Sequence, residues 1–469
     1  MGSERWDSMR DEWTAARLLP TAGIRNQGEQ ERRAASALLA VMSAVPDFCH
    51  GLLSEMKAPK GKISTFTELR FVDGEEKLHI PDGAVVVERG KKRWSCLVEI
   101  KTGGALLEGD QVSRYLDLAR EHGFDGLLTI SNQIRGDSRA LPYAVRKSKL
   151  RGLTVYHLSW WRVLTEAIVQ HRFRGIADPD QAWILGELIR YLDDEKSGAS
   201  GFNGMGNEWV GVRESARNGT LRAEDPQAEA IAGRWEQFAE YLCLHLSQGL
   251  GVDVKHLRPR GKSPTEQIAA ATRRLASDGT FTCSIQVPDA VGPIGIEADL
   301  RARLVTTSVE VPAPREGRPR TRINWLLRQL KGAPDDLRID VRFARVRATR
   351  SELLKDCRKR PELLLMKDEP KREPRGFVVA LSRPMGKKDG RKEGSFVTET
   401  QRQVTEFYRD LVQGIVPPPT KAPKIQKEEQ ATEPAAAAPP APAKSETTVR
   451  REHETNLQRL AEIVPFGFE

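Results

Sequence analysis

The chain has 469 residues, 39% of them hydrophobic and 30% charged, which is typical of a folded protein of about three domains. It contains no apolar run long enough to span a membrane, and the polar residues 1–10 lack the pattern of a secretory signal. The five cysteines are far apart and form no CxxC pair, which argues against disulfide scaffolds and zinc fingers. These features predict a cytoplasmic protein.

Positive charge is concentrated in the C-terminal half of the chain. Residues 301–420 contain 28 Lys and Arg but 16 Asp and Glu, an excess of +12, whereas the remaining residues carry −3. A basic region beside a slightly acidic body predicts either a polyanion partner or only a soluble basic surface.

The N-terminal part of the chain alternates between helical and strand patterns. Its predicted elements are a helix over 27–56 broken or kinked at Pro46, strands over 65–71, 84–88 and 94–101, a helix over 106–122, strands over 126–130 and 153–158, and a helix over 160–170. The turn signal at 89–92 predicts an antiparallel hairpin, and the strand–helix–strand step predicts a parallel pair. Residues 25–175 are therefore predicted to form an α/β domain with a mixed central sheet flanked by helices.

The remainder predicts a helical connector over 176–208 and a basic α+β domain of unknown role over 209–416. In the second domain we expect helices over 226–250, 322–331, 351–358 and 398–412, and strands over 281–287, 297–311, 337–346 and 376–381. Residues 1–24 are an N-terminal extension, and the Pro/Ala-rich stretch 417–447 is predicted to be a disordered linker. Residues 448–469 regain helical spacing and predict either a docking peptide for a protein partner or an inert tail.

The hairpin carries the residues that suggest chemistry. Glu99 and Lys101 share one face of a predicted strand, and Asp82 begins the strand that pairs with it. Such carboxylates are costly to bury unless they are paired or hold a metal, and hard oxygen ligands suit Mg²⁺ or Mn²⁺. Asp82 and Glu99 would hold the ion, which would activate a water, and Lys101 would stabilise the developing negative charge. Further metal ligands would come from the backbone carbonyl of Ile100 and from Glu68.

Pro81-Asp82, followed by Glu99-Ile100-Lys101 on the next strand, resembles the motif of the PD-(D/E)xK nuclease superfamily. The predicted order of helix, three strands, helix and strand resembles the core of that restriction-endonuclease-like fold. In some branches an acidic residue of the first helix adds a metal ligand, and Glu31, or Glu29, has that place here. Gln111 and Tyr115 match the Gln and Tyr that follow on the next helix in other branches. The resemblance covers about 150 residues.

Each of these residues also has a purely structural interpretation. Pro81-Asp82-Gly83 could be only a turn, and Glu99 with Lys101 could be a solvated salt bridge at a strand end. Glu68 could be exposed on its strand, and Glu31 could belong to a solvated helix start. Gln111 and Tyr115 could cap and pack a helix, while His157 is predicted to be packed or on the surface and Trp160-Trp161 to be core.

The basic region contains two groups of residues that suit phosphate contacts and base stacking. They are Arg318, Arg320, Arg322 and Trp325 in the first group and Lys387, Lys388, Arg391 and Lys392 in the second. The alternative is a solubilising surface.

Together these observations predict a metal-dependent nuclease that hydrolyses phosphodiester bonds, and they favour DNA over RNA as the substrate without deciding between the two. Proteins of this kind often serve in DNA repair, restriction or phage defence, an analogy that rests on fold. The alternative is a catalytically inactive protein of the same fold that binds nucleic acid or acts as an adaptor through its basic domain and tail.

Overall fold

The structure, a computed structural model, describes residues 18–19, 23–72, 77–136, 138–199 and 201–418. The predicted docking peptide, the linker beyond residue 418 and most of the N-terminal extension lie outside these ranges.

In the described part of the first half there are seven strands and four helices, and a fifth helix follows in the predicted connector. The strands are β1 (Lys62–Thr67), β2 (Phe71–Val72), β3 (Leu78–His79), β4 (Gly83–Arg89), β5 (Lys92–Ile100), β6 (Gly126–Ser131) and β7 (Thr154–Ser159). The helices are α1 (Gln27–Ala44), α2 (Pro46–Leu52), α3 (Gly109–Glu121), α4 (Trp160–Val169) and α5 (Pro179–Asp193), the last lying in the predicted connector.

Five of these strands form one mixed sheet in the order β1-β4-β5-β6-β7. The predicted hairpin of β4 and β5 is confirmed, with Gly90 in the left-handed conformation that a two-residue turn requires. Strands β5, β6 and β7 are parallel, as the strand–helix–strand order predicts. Alternate residues face α1 on one side, where Val98 and Leu128 are buried, and α3 on the other, where Leu97 and Leu127 are buried.

The predicted break at Pro46 is confirmed. Helix α1 ends at Ala44 and α2 begins at Pro46, because proline has no backbone N–H to continue the helix, and the two axes differ by 112°. No single helix among the described residues has the length and apolar character to cross a membrane. Only α1 and α2 taken together reach that length and composition, and α1 has seven residues buried in the core.

The second half contains a seven-stranded antiparallel sheet. Its strands are β8 (Lys255–His256), β9 (Thr280–Gln286), β10 (Ile294–Asp299), β11 (Leu304–Pro312), β12 (Arg338–Phe343), β13 (Thr349–Leu353) and β14 (Pro374–Pro384), in the order β13-β12-β14-β11-β10-β9-β8. Its helices are α6 (Trp209–Arg217), α7 (Pro226–Leu250), α8 (Pro264–Asp278), α9 (Pro319–Gln329), α10 (Leu354–Lys359) and α11 (Phe396–Asp410).

Three sequence predictions in this half need correction. The single strand predicted over 297–311 is the hairpin of β10 and β11, turned by Asp299, whose side chain accepts from the Ala302 N–H at 2.8 Å, and by left-handed Arg303. The helix predicted over 351–358 begins as strand β13 and becomes helical only at Leu354. Helix α8 was not predicted, although Ser263 and Glu266 form a capping box at its start.

One hydrophobic core runs from α1 through both sheets to α11. Helix α4 of the first half packs on α7 of the second, where Trp161 lies 5.1 Å from Tyr241 between ring centroids. Further along α7, Trp235 stacks on Phe281 of β9 at 5.2 Å. The predicted domain boundaries near residues 175 and 209 therefore fall within a continuously packed region, and they stay predictions.

We expect Trp235→Ala to destabilise the protein by about 3–5 kcal/mol, because it removes a fully buried, stacked side chain from the shared core. Trp183→Ala, at a 53% exposed position on α5, is the matched control and should change little. Urea unfolding followed by fluorescence and circular dichroism measures both. Equal midpoints for the two variants would contradict this account of the core.

Candidate active site

The pairing of three strands brings Asp82 and Glu99 side by side. Gly83 pairs with Val98 across the hairpin, so the preceding residue, Asp82, lies opposite Glu99. On the other side, the Glu68 N–H donates to the Asp82 carbonyl oxygen at 3.1 Å as β1 ends. The predicted juxtaposition of the two acidic residues is therefore a direct result of strand register.

Asp82 is fixed by the backbone of the neighbouring strand. Its Oδ2 accepts a hydrogen bond from the Ile100 N–H at 2.7 Å, and, besides burial, its negative charge raises the pKa of the neighbouring Glu99 carboxyl group. The bond to Ile100 holds the Asp82 side chain against the end of β5. The predicted Pro-Asp turn is thus also an anchor for a carboxyl group.

Glu99 is the most deeply buried member of the site, with 1% of its surface exposed. Its Oε1 accepts from Lys101 Nζ at 2.8 Å and from Gln111 Nε2 at 2.7 Å. Its Oε2 is buried and has no hydrogen-bond partner among the described residues. One oxygen has two hydrogen bonds and the other has none, which is unusual because buried polar atoms are normally satisfied.

Helix α1 adds a third carboxylate. Glu31 lies 3.5 Å from Lys101 Nζ, whereas Glu29, the alternative considered from the sequence, pairs with Arg33 at 2.7 Å. The Lys101 carbonyl in turn accepts from Trp160 Nε1 at 2.9 Å. Elements from both ends of the first half therefore hold Lys101 in place, and Trp160 has a positioning contact besides its predicted place in the core.

Burial and like charges shift the pKa values of the carboxyl groups upward. Burial, followed by the negative charge of Asp82, raises the pKa of Glu99 from 4.5 to about 7. Burial, with a contribution from Glu31, also raises the pKa of Asp82. Burial alone would lower the pKa of Lys101, but the carboxylates outweigh it and raise that pKa, so Lys101 stays protonated.

The donor set fits one hard divalent cation. With all groups ionised, the three carboxylates and Lys101 carry a net charge of −2, which one divalent ion would neutralise. Two carboxylates, Asp82 and Glu99, and the Ile100 carbonyl would supply oxygen ligands, with water completing the shell as Mg²⁺ prefers. Among the residues described, no group of three or more His, Cys, Asp or Glu side chains is arranged to hold a metal.

The other predicted site residues divide into two sets. Gln111 and Tyr115 join the cluster from α3, with Gln111 Nε2 donating to the Tyr115 hydroxyl at 3.4 Å. Glu68 is exposed and left-handed, with φ at 51°, and its carboxylate makes no ion pair with the cluster in the part of the chain that is described. The role predicted for Glu68 stays a prediction.

Sequence reasoning missed a polar row that continues the site across the sheet. Register places Glu99 beside Thr129 and Thr129 beside His157, all on the α3 face. Thr129 Oγ1 lies 2.9 Å from the Tyr143 hydroxyl and 3.2 Å from His157 Nδ1. Burial lowers the pKa of His157 to about 4, so the ring is neutral near pH 7. The sequence did contain one signal for this row, because Thr129 and His157 each lie two positions before the end of their strand, β6 and β7.

The first predicted nucleic-acid group lies at the start of β14. Arg322 is only 6% exposed and donates to the carbonyl oxygens of Gly317, Pro374 and Arg315, so it is structural and its predicted phosphate contact is not supported. Trp325 is partly buried against the core. Arg320 remains 65% exposed, beside Glu362, and Arg318 precedes the first turn of α9.

The second group follows the end of β14, about 30 Å along that strand from the first group. Lys387, Lys388 and Lys392 are exposed, while the loop backbone is held by the Arg213 bond to the Lys387 carbonyl. The Arg391 guanidinium lies over the Trp161 ring at 6.0 Å. Trp161 follows Trp160, which donates to the Lys101 carbonyl, so α4 connects this loop with the strand end that carries the cluster.

The burial of Glu99 predicts a pH-dependent stability for metal-free protein in EDTA. Because its folded pKa of about 7 exceeds its ordinary value of 4.5, this group's stabilising contribution is complete below pH 4.5 and is lost as pH rises through 7. Glu99→Gln should remove that loss, so its free energy of unfolding relative to wild type should rise by about 3 kcal/mol between pH 4.5 and pH 8. Glu121→Gln, an exposed carboxyl on α3, is the control. A difference independent of pH would contradict the shift.

No protein-family model matches the chain, and no curated protein matches it. Among solved structures, it is similar to one described as the DNA modification-dependent restriction endonuclease AspBHI, with 14% identity and a TM-score of 0.18. The match covers 39% of this chain and 48% of that one, so it spans about half of the solved structure. A TM-score this low does not establish a shared fold.

Proposed function

We propose that the protein is a metal-dependent nuclease of the PD-(D/E)xK type that hydrolyses phosphodiester bonds in DNA. The observation that carries the proposal is the Glu99 carboxylate, which is buried beside Asp82 with one oxygen, Oε2, unpartnered. Burying two acidic groups costs several kcal/mol unless a counter-charge compensates, and a bound Mg²⁺ or Mn²⁺ would provide it.

The residues of the cluster have distinct tasks in this proposal. The bound ion would supply Lewis acidity towards the phosphate and lower the pKa of a water. Asp82, held by the Ile100 N–H, and Glu99, held by Gln111, would keep their carboxylates fixed as ligands. Protonated Lys101 would donate a hydrogen bond to the phosphate oxygen on which negative charge develops. The water oxygen would bond to phosphorus and release one proton to solvent, while the P–O bond to the leaving oxygen would break and that oxygen would take up one proton from solvent.

The alternative is a nuclease-fold protein that binds nucleic acid, or serves as an adaptor, without cutting it. One observation favours it. Lys101 is paired with both Glu99 and Glu31, so the cluster is partly neutralised without an ion. On that reading the ion pairs are structural and the basic residues carry the function.

A cleavage assay separates the two functions. We expect wild-type protein at low salt with Mg²⁺ or Mn²⁺ to cut linear, circular or single-stranded DNA, with RNA as a parallel substrate, and EDTA to abolish cutting. Asp82→Asn and Lys101→Met should each lower the rate by about 100-fold or more, because each removes a ligand or charge needed in the transition state.

Asp110→Asn is the matched control, because this exposed acid lies next to Gln111 on α3 and outside the cluster. It should cut like wild type. If wild type binds nucleic acid but neither it nor any variant cuts, the nuclease proposal fails and the binding function is favoured.

The two basic groups predict different effects on DNA binding. The double variant Lys387→Gln/Lys388→Gln should weaken binding of a short duplex in EDTA by about tenfold and lower the slope of log affinity against log salt by about 1–2, because it removes two exposed cations that would contact phosphates in this proposal. Arg318→Gln/Arg320→Gln removes the same charge about 30 Å away and should change little. Fluorescence anisotropy over a salt series measures both, and equal losses would argue against a site-specific role for the second loop.

A further inference from the structure

A second polar cleft lies between the two halves of the protein, and the proposed cleavage reaction does not use it. It has a volume of about 590 Å³, within the roughly 300–1,000 Å³ typical of ligand pockets. One wall is formed by the ends of β6 and β7 and the start of α4, and the other by α7 and the segment around β8. Residues that line it include Arg135, Ser138, His157, Arg162, Glu240 and Arg258.

Arg135 is the distinctive residue of this cleft. Its Nε is buried without a hydrogen-bond partner, and its guanidinium forms no ion pair with any described residue. By contrast, Arg162 pairs with Glu55 at 3.0 Å and Asp253 at 3.3 Å, and Arg258 pairs with Glu240. Burial lowers the pKa of Arg135, which records the cost of holding this cation away from water. An unpaired guanidinium that is partly desolvated is a strong site for an anion.

The charge of the cleft agrees with an anionic ligand. Its described lining contains four cationic side chains and three carboxylates, so it carries a net charge of +1 when its two histidines are neutral. The carboxylates already have cationic partners, which leaves Arg135 as the surplus cation. A ligand with one or two negative charges would compensate the positive charge of Arg135.

The cleft lies at the same edge of the sheet as the carboxylate cluster. His157 lines it, and His157 is in register with Thr129 and Glu99 on the two neighbouring strands. At about 4.8 Å between strands, the Glu99 and His157 positions are about 10 Å apart. Clefts at the carboxyl ends of parallel strands are common ligand sites in α/β proteins.

The far wall of the cleft lies close to the segment that carries Arg135. A Cβ on Gly136 would meet the guanidinium of Arg258 and the Glu240 carboxylate, so the chain after β6 passes directly beside this ion pair. Residues from both halves therefore line the space next to Arg135.

We infer that this cleft binds a phosphate group through the guanidinium of Arg135. The phosphate belongs either to a polynucleotide that also reaches the carboxylate cluster or to a free nucleotide. Guanidinium groups bind phosphate with paired hydrogen bonds, and Ser138 and Ser159 line the same space with hydroxyl groups.

The inference is tested by binding to the full chain in EDTA, with three probes. These are inorganic phosphate, adenosine monophosphate, and a short oligonucleotide with or without a 5′-phosphate. Calorimetric titration and the shift in melting temperature are the readouts, since a ligand that binds only the folded state stabilises it. We expect wild type to bind at least one phosphate probe and to gain melting temperature. Arg135→Gln should lose at least about tenfold in affinity, as expected for a lost charge-assisted bond.

Arg146→Gln is the matched control, because this exposed arginine lies on the same β6–β7 segment and does not line the cleft. It should bind like wild type. Arg135→Met guards against a folding defect, since removing a partly buried cation that has no ion pair with any described residue should leave the ligand-free protein at least as stable as wild type. The inference is overturned if wild type binds no phosphate probe at millimolar concentration, or if Arg135→Gln binds as tightly as wild type.

The test of phosphate binding and the test of nuclease activity can fail independently of each other. Asp82→Asn should keep phosphate binding while losing cleavage, and Arg135→Gln should lose phosphate binding whether or not the protein cuts. Tighter binding of the oligonucleotide than of the mononucleotide identifies the polynucleotide as the source of the phosphate. The reverse order identifies a free nucleotide.

Discussion

A carboxylate removed from water is the constraint around which the first half of the protein is organised. Glu99 is 1% exposed, and its environment must therefore supply the charge and hydrogen bonds that water would otherwise provide. Lys101 on the same strand and Gln111 on the helix of that face do so, whereas Asp82 on the paired strand adds a like charge. The register of the β4–β5 hairpin and the orientation of α3 together determine which side chains surround the Glu99 carboxylate. The residual deficit at Oε2 is where the proposed chemistry begins.

Local patterns were sufficient to predict the elements that position this cluster. The alternation in the β4–β5 hairpin, together with its turn, sets which residues face each other, so Asp82 and Glu99 could be paired from sequence alone. The break at Pro46 was equally predictable, because proline lacks the N–H that would continue a helix. The helix over 226–250 was predictable because its apolar residues keep a helical period over its whole length. The choice between Glu29 and Glu31 was not, since it depends on how α1 is rotated against β5.

The failures have physical causes as well. The turn between β10 and β11 contains neither glycine nor proline, so an Asp side chain and a left-handed arginine replace the usual signal. Helix α8 is the opposite case, because a clear capping box of Ser263 and Glu266 marks its start and yet the helix was not predicted. The row through Thr129 and His157 was missed, because it depends on the register of parallel strands separated by about 30 residues of chain, and its local signal is only two polar residues near two strand ends.

The length of strand β14 determines the distance between the two basic groups. Its 11 residues separate one basic group from the other by about 30 Å, close to the roughly 34 Å pitch of a B-form helical turn. A duplex lying along this strand would meet both groups on the same side of its helix, one turn apart. If the protein binds duplex DNA as proposed, duplexes shorter than about one turn would reach only one of the two groups, and the number of groups engaged would depend on the length of the duplex rather than on its sequence.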